Sequence, residues 1–148
     1  MNPPQRPHVA DPVGQALAPS GAALRAAALI HVALGLGFGL GTVWTLDHFG
    51  RHGELPLTPW GFRSLAGPFE VLPASQFVAL GWALVTACAL DVVAGLWLWQ
   101  ARRRGAVLGL VTGAVQFVLG LGFALPFLLL GVPLRAALTA LGRRALRP

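Results

Sequence analysis

One uninterrupted apolar stretch, Phe77 to Trp99, restricts the possible folds of this chain more than any other feature. It reads FVALGWALVTACALDVVAGLWLW, and its single charged residue is Asp91. A helix that spans a bilayer needs about 20 mostly apolar residues at ~1.5 Å each. The acid costs roughly 2.5 to 3.5 kcal/mol on insertion, and the Leu, Val and Phe residues of the stretch return about 3 to 6 kcal/mol. The stretch therefore predicts a membrane-spanning helix, and the arginines that follow, Arg102 to Arg104, mark its cytoplasmic end.

The composition of the whole chain supports a membrane protein. Of the 148 residues, 55% are hydrophobic and 11% are charged, with a mean hydropathy of +0.68. A soluble domain would carry about 25% charged residues. The net charge of +6 comes from arginines at the ends of apolar segments, as the positive-inside rule expects, so we exclude nucleic-acid binding.

The pattern of apolar segments predicts an all-α fold, an integral membrane four-helix bundle. Residues 1–21 are rich in proline and predict a flexible cytoplasmic tail. Residues 22–148 then form a single transmembrane domain. Its helices are predicted at about 22–46, 75–100, 104–123 and 125–142, with an outer loop at 47–74.

The outer loop contains the signals of a short helix. Thr58 is a suitable N-cap, Pro59 a suitable first helical residue, and Gly67 with Pro68 a suitable stop. We therefore expect a short interfacial helix from Pro59 to Ala66. Its aromatic neighbours would let the loop lie on the outer membrane surface or fold back as a lid.

The last apolar segment, Ala124 to Leu141, allows two interpretations. It is either a fourth spanning helix, or the third helix continues to Gly131 and Val132 to Arg147 forms an amphipathic surface helix. Four crossings return the C-terminal arginines to the side that holds Arg25, so we favour four. This predicts an inner-membrane protein with both termini in the cytoplasm.

Two helices carry regularly spaced glycines, which allow helix backbones to approach closely. We predict that these residues are helix-packing positions, within the chain or between subunits. They are Gly35, Gly37, Gly39 and Gly41 on the first helix, and Gly105, Gly109 and Gly113 on the third.

Four polar residues, His31, Asp91, Gln116 and Arg135, lie at membrane depth, one on each predicted helix. They are about 9 to 18 Å from the nearest cytoplasmic arginine, so all four fall in the inner half of the bilayer. Polar groups there need partners, and we expect Asp91 to pair with Arg135 or His31. The group is either an interhelical clasp or a proton- or ligand-binding site.

No cofactor, metal site or catalytic residue is predicted. A haem with two histidine ligands needs a second histidine at depth besides His31. His48 and His52 have helical spacing but fit a solvated loop better than a metal site. Cys88 stands alone, so it forms neither an internal disulfide nor a CxxC redox motif.

The layout resembles small bacterial four-helix membrane proteins, including DoxX-like proteins. The resemblance is carried by the glycine-rich first helix, the LPLTP loop and the GPFEVLP sequence from Gly67 to Pro73. It implies an inner-membrane protein whose role is uncharacterised. We expect a non-enzymatic accessory or helix-packing subunit, with the bilayer and a membrane protein or second copy as partners. The alternative is a small transporter or a lipid- or quinone-binding protein that uses the four polar residues. A membrane enzyme is a third possibility for which the sequence offers no reactive group.

Overall fold

The structure is a computed structural model that describes residues 19–59 and 61–147. Within that part of the chain all regular structure is helical, and no β-strand forms, which confirms the predicted all-α class. The helices are α1 (Pro19–His52), α2 (Ala74–Trp99), α3 (Arg103–Gly122) and α4 (Pro126–Gly142). Most of the predicted cytoplasmic tail, residues 1–18, lies outside the described residues.

Three of the helices, α1, α2 and α3, are long and apolar enough to cross a membrane. Helix α4 is shorter, with 17 residues, and contains Pro133. Large hydrophobic side chains remain exposed along the outer faces of the helices, among them Leu40, Val118 and Leu130. An apolar exterior of this kind suits a membrane protein, because lipid rather than water surrounds it.

The helices pack in the cyclic order α1, α2, α3, α4, so that each contacts two neighbours. Short turns join α2 to α3 and α3 to α4, and Ala101 and Ala124 adopt left-handed backbone conformations there, with φ of 57° and 48°. Ala101 accepts a hydrogen bond from the backbone of Arg147 at 2.8 Å, so the segment after α4 returns to the α2–α3 turn.

The chain therefore gathers the start of α1, the α2–α3 turn and the end of α4 at one end of the bundle, here called the basic end. Gly142, the last residue of α4, lies against Leu24 in the first turns of α1. Seven arginines belong to these segments: Arg25, Arg102, Arg103, Arg104, Arg143, Arg144 and Arg147.

The loop between α1 and α2 covers the opposite end, here called the loop end. The helix predicted over Pro59 to Ala66 does not form at the residues described there, which make turns instead. Thr58 and Phe62 pair through a backbone hydrogen bond of 2.7 Å, and Gly61 and Leu65 have positive φ angles of 80° and 57°. Left-handed residues cannot continue a helix, so the capping signals are used in a turn. A single 3₁₀ turn follows at Pro68–Val71.

Aromatic side chains hold the loop against the helices. The ring of Phe69 meets Phe123 edge-on at 5.1 Å between centroids, and Phe123 meets Phe77 at 5.5 Å. Phe77 in turn lies 5.4 Å from Phe49 on α1. We call these four residues the aromatic cap. Because Leu65 is also buried, the loop folds back over the helices as a lid.

Helix α1 continues six residues beyond the predicted end at residue 46. Pairs of side chains one turn apart stabilise the added turns. Asp47 accepts a hydrogen bond from Arg51 at 2.8 Å, and the rings of His48 and His52 stack at 4.2 Å. Such pairs stabilise a helix by a few tenths of a kcal/mol each, roughly 0.2 to 0.5. With 34 residues, α1 is about 51 Å long.

Candidate functional site

The four polar residues predicted at membrane depth meet in the middle of the bundle. Each comes from a different helix, and none is more than 2% exposed. Together with Thr112 on α3 they form one hydrogen-bonded group, here called the polar cluster. Its members are His31, Asp91, Thr112, Gln116 and Arg135.

Asp91 on α2 is the centre of the polar cluster. Its Oδ1 bonds with Nδ1 of His31 at 2.8 Å and accepts a hydrogen bond from Oγ1 of Thr112 at 3.0 Å. Its Oδ2 accepts a hydrogen bond from Nη1 of Arg135 and forms an ion pair with it. One carboxylate on α2 therefore bonds to α1, α3 and α4.

Arg135 makes a second connection between the polar cluster and α3. Its Nη2 donates to Oε1 of Gln116 at 2.6 Å, and Nε2 of Gln116 donates to Sγ of Cys88 at 3.6 Å. The Nε atom of Arg135, also buried, has no hydrogen-bond partner among the described residues. The guanidinium is therefore held firmly at two nitrogens and unsatisfied at the third.

Asp91 and Arg135 bring opposite charges into the polar cluster and form an ion pair there. An unpaired charge at this depth would be costly, so each ion needs the other. If the Nδ1–H of His31 donates to the carboxylate, the neutral ring keeps an acceptor at Nε2.

Thr112 is the member of the polar cluster that sequence reasoning missed. A threonine can satisfy its hydroxyl within its own helix, and Thr112 also donates to the carbonyl oxygen of Leu108 at 3.0 Å. Nothing in the sequence therefore indicated that its hydroxyl bonds to another helix. Its position four residues before Gln116, on the same face of α3, was the available signal.

The glycines of α3 make room for the other helices. A Cβ added at Gly109 would lie 2.6 Å from Cε1 of His31, and one at Gly113 would lie 3.3 Å from Nη2 of Arg135. Gly105 approaches the backbone of α2 in the same way. The predicted ridge therefore faces partners inside this chain.

The glycines of α1 divide into two pairs. Gly35 and Gly39 face Cys88 on α2, and a Cβ at Gly35 would lie 2.7 Å from its carbonyl oxygen. Gly37 and Gly41 are exposed, and a Cβ at either would meet nothing within 4 Å. One GxxxG spacing thus packs internally, and the other is open.

A cavity of about 40 Å³ adjoins the polar cluster between α1, α3 and α4. His31, Arg135 and Thr139 supply its polar lining, and Gly109 and Gly113 line it on α3. A larger cavity of about 230 Å³ lies at the loop end and does not touch the polar cluster. In residues 19–59 and 61–147, no three His, Cys, Asp or Glu side chains stand close enough to hold one metal ion.

Comparison with known proteins finds no family model, no curated protein and no solved structure that matches this chain. The resemblance to DoxX-like proteins therefore stays a prediction. The arguments that follow rest on the geometry of the polar cluster and of the helix faces.

Proposed function

We propose that this chain is a non-enzymatic accessory subunit of a bacterial inner membrane, which packs against partner helices and uses its polar cluster as an internal clasp. The observation that supports the clasp is the bonding of Asp91 to side chains from all three other helices. Both carboxylate oxygens of Asp91 therefore have hydrogen-bond partners within this chain. A clasp of this kind fixes which helices are neighbours, at roughly 0.6 to 2 kcal/mol per hydrogen bond.

The proposal includes four membrane crossings, with both termini in the cytoplasm and a DoxX-like layout. Helix α4 runs back to the basic end, and its 17 residues span about 26 Å, close to the ~30 Å hydrocarbon core. Arg135 is 1% exposed and faces the other helices. An amphipathic surface helix would direct an arginine to water instead, so this burial favours a fourth crossing.

The open glycine pair supports a partner helix. Gly37 and Gly41 are four residues apart on the exposed face of α1, where Leu36 and Leu40 flank them. Small residues at this spacing allow another helix to approach closely in lipid. The same face would accept a second copy of this chain or a helix of a larger complex.

The alternative proposal is a small transporter or a lipid- or quinone-binding protein that uses the polar cluster. The volume of the cavity beside the polar cluster favours a ligand smaller than a quinone or a lipid. Sites for drug-sized molecules occupy roughly 300 to 1,000 Å³, and the space beside His31 and Arg135 is about 40 Å³. A quinone ring or a lipid headgroup would need the helices to separate.

Purification from native membranes in mild detergent tests the accessory role. We expect the protein to migrate in a complex larger than one chain, and leucines at Gly37 and Gly41 to release it as a folded monomer. Leucine at Ala89, an exposed position on α2, is the matched control and should leave the complex intact. A wild-type chain that migrates alone would contradict the accessory role. Tags at Met1 and Pro148 that are labelled on opposite sides of the membrane would contradict four crossings.

A further inference from the structure

We propose that the cavity beside the polar cluster binds one small monobasic acid of about three heavy atoms, such as formic or nitrous acid. The acid is held as its anion by Arg135, with its proton on His31. This binding site goes beyond the clasp, because the clasp bonds join side chains of the chain to one another and involve no ligand.

An unsatisfied donor is the first reason to expect a ligand. Arg135 is 1% exposed, its two terminal nitrogens bond to Asp91 and Gln116, and its Nε has no partner among the described residues. Native structures rarely leave a buried N–H unpaired, so such a group requires an explanation. Arg135 also lines the cavity, so an acceptor bound there is beside the guanidinium.

The size of the cavity limits the ligand. One water molecule needs at least ~10 to 15 Å³ measured in this way, so about 40 Å³ offers roughly three such positions. Formate and nitrite each have three heavy atoms. Both also present oxygen acceptors in a plane, which suits a guanidinium.

His31 supplies a place for the proton. Its Nδ1 is occupied by Asp91, and the opposite edge of the ring lies over Gly109, where an added Cβ would be 2.6 Å from Cε1 and 3.0 Å from Nε2. Gly109 and His31 both line the cavity. The free nitrogen of the ring is therefore on the side where the ligand would lie.

Charge balance couples the anion to the proton. With the cavity empty, Asp91 and Arg135 sum to zero. An anion alone would leave the buried group at −1, and a proton alone would leave it at +1. An acid that transfers its proton keeps the total at zero: its O–H bond breaks, an N–H bond forms at Nε2 of His31, and the anion remains beside Arg135. Burying a net charge at this depth is expensive, so the two are taken up together.

Among the described residues that line the cavity, His31 is the group that can take the proton. Asp91 faces it from α2 and is already bonded to two donors besides the imidazole. Arg135 faces the same cavity from α4, and α3 presents Gly109 and Thr112, neither of which titrates. No carboxylate is among the described residues that line the cavity.

The entrance suits an uncharged acid. Leu110 and Ala114 line the cavity and are also exposed on the outer surface of α3, so the cavity reaches that surface beside α4. In a bilayer this surface faces hydrocarbon. A neutral acid crosses such an apolar entrance more easily than its anion, and it ionises only after it reaches His31 and Arg135.

Titration of the purified full-length protein in detergent with sodium formate tests the proposal. We expect the thermal unfolding midpoint, followed by tryptophan fluorescence, to rise with formate to a plateau. Nitrite should act similarly, and sulfate at equal ionic strength should not, because it is larger and divalent. Where His31 is neutral, calorimetry should show formate affinity rising about tenfold for each unit of pH decrease, as uptake of one proton requires.

Two variants and one control variant sharpen the test. Gly113→Ala places a methyl in the cavity 3.3 Å from Nη2 of Arg135 and should weaken formate binding roughly tenfold or more. Gly37→Ala, which adds the same methyl in open space, should bind like wild type. His31→Asn keeps a donor toward Asp91 but cannot take the proton, so the residual affinity should lose its pH dependence.

A folded wild-type protein that responds to neither formate nor nitrite would overturn the acid site and leave the clasp untouched, with water as the occupant of the cavity. Equal formate affinity in the Gly113→Ala and Gly37→Ala variants would also overturn it. If Gly113→Ala does not fold, the pH dependence of wild type decides alone: an affinity independent of pH would contradict the transfer of the proton to His31.

Discussion

The middle and the loop end of the same helices are held together by different chemistry. In the middle of the bundle the polar cluster joins one residue of each helix through directed hydrogen bonds and a buried ion pair. At the loop end the aromatic cap joins α1, α2, the loop and the residue after α3 through ring contacts of 5.1 to 5.5 Å. Hydrogen bonds and charge determine which residues pair in the polar cluster, and the shapes of the rings determine which residues pack in the aromatic cap.

The difference follows from the surroundings of each region. Between helices in lipid, apolar packing gains little, because a lipid tail is as apolar as leucine. The directed bonds of the polar cluster distinguish correct from incorrect neighbours there. The loop lies at the end of the bundle, where water would otherwise surround its apolar side chains. Burial of Leu65 and partial burial of Phe69 therefore contribute a hydrophobic free energy.

The largest effect is expected from Asp91→Asn. The change keeps the shape of the side chain but leaves Arg135 buried without its counter-ion, which costs roughly 3 to 5 kcal/mol. The free energy of unfolding, measured by titration with a denaturing detergent, should fall by that amount. Asp47→Asn makes the same chemical change in an exposed ion pair and should alter it by less than about 0.5 kcal/mol. Equal losses in the two variants would mean that the polar cluster does not hold the helices.

A smaller effect is expected from Phe69→Ala in the aromatic cap. A fully buried phenylalanine costs about 3 to 5 kcal/mol on truncation, and Phe69 is only partly buried, so we expect roughly 1 to 3 kcal/mol. Phe62→Ala, at a residue 73% exposed in the same loop, is the control and should have little effect. Protease cleavage of the loop would measure the change directly, and equal cleavage rates in the two variants would show that the cap does not secure the loop.

Apart from the control variants, the smallest effect is expected from Arg63→Gln. Arg63 forms an ion pair with Glu70 at the loop end, but their side chains are 53% and 36% exposed. Exposed pairs contribute about 0.2 to 1 kcal/mol, and salt screens them. The unfolding free energy should therefore change by less than about 1 kcal/mol, and the change should disappear at high ionic strength. A loss as large as that of Asp91→Asn would show that burial does not distinguish the two pairs.

The sequence predicted four helical segments, which correspond to the four helices of the described residues, and it singled out four of the five residues that the structure joins in the polar cluster. Apolar length determines where a helix can cross a bilayer, so the centres of all four segments are close to the observed helices. One costly polar residue on each segment, at similar depth, was enough to predict that Asp91 meets Arg135 or His31. The structure places both against the same carboxylate.

Several features could not be predicted because they depend on how each helix is rotated about its axis. Gly35 and Gly37 look equivalent in the sequence, but one faces α2 and the other faces outward. The role of Thr112 required knowledge of which side of α3 meets Asp91. The prediction of a helix in the loop was wrong for a local reason. Gly61 and Leu65 have positive φ angles, which capping residues do not indicate.

The length of α1 has a consequence for whatever meets this protein from the loop end. A helix of about 51 Å exceeds the ~30 Å hydrocarbon core, so in a membrane its final turns project beyond that core. Phe49 in those turns packs on Phe77, which braces the projection against α2. An antibody fragment or another protein domain that docks there would meet a preformed surface and lose little conformational entropy on binding.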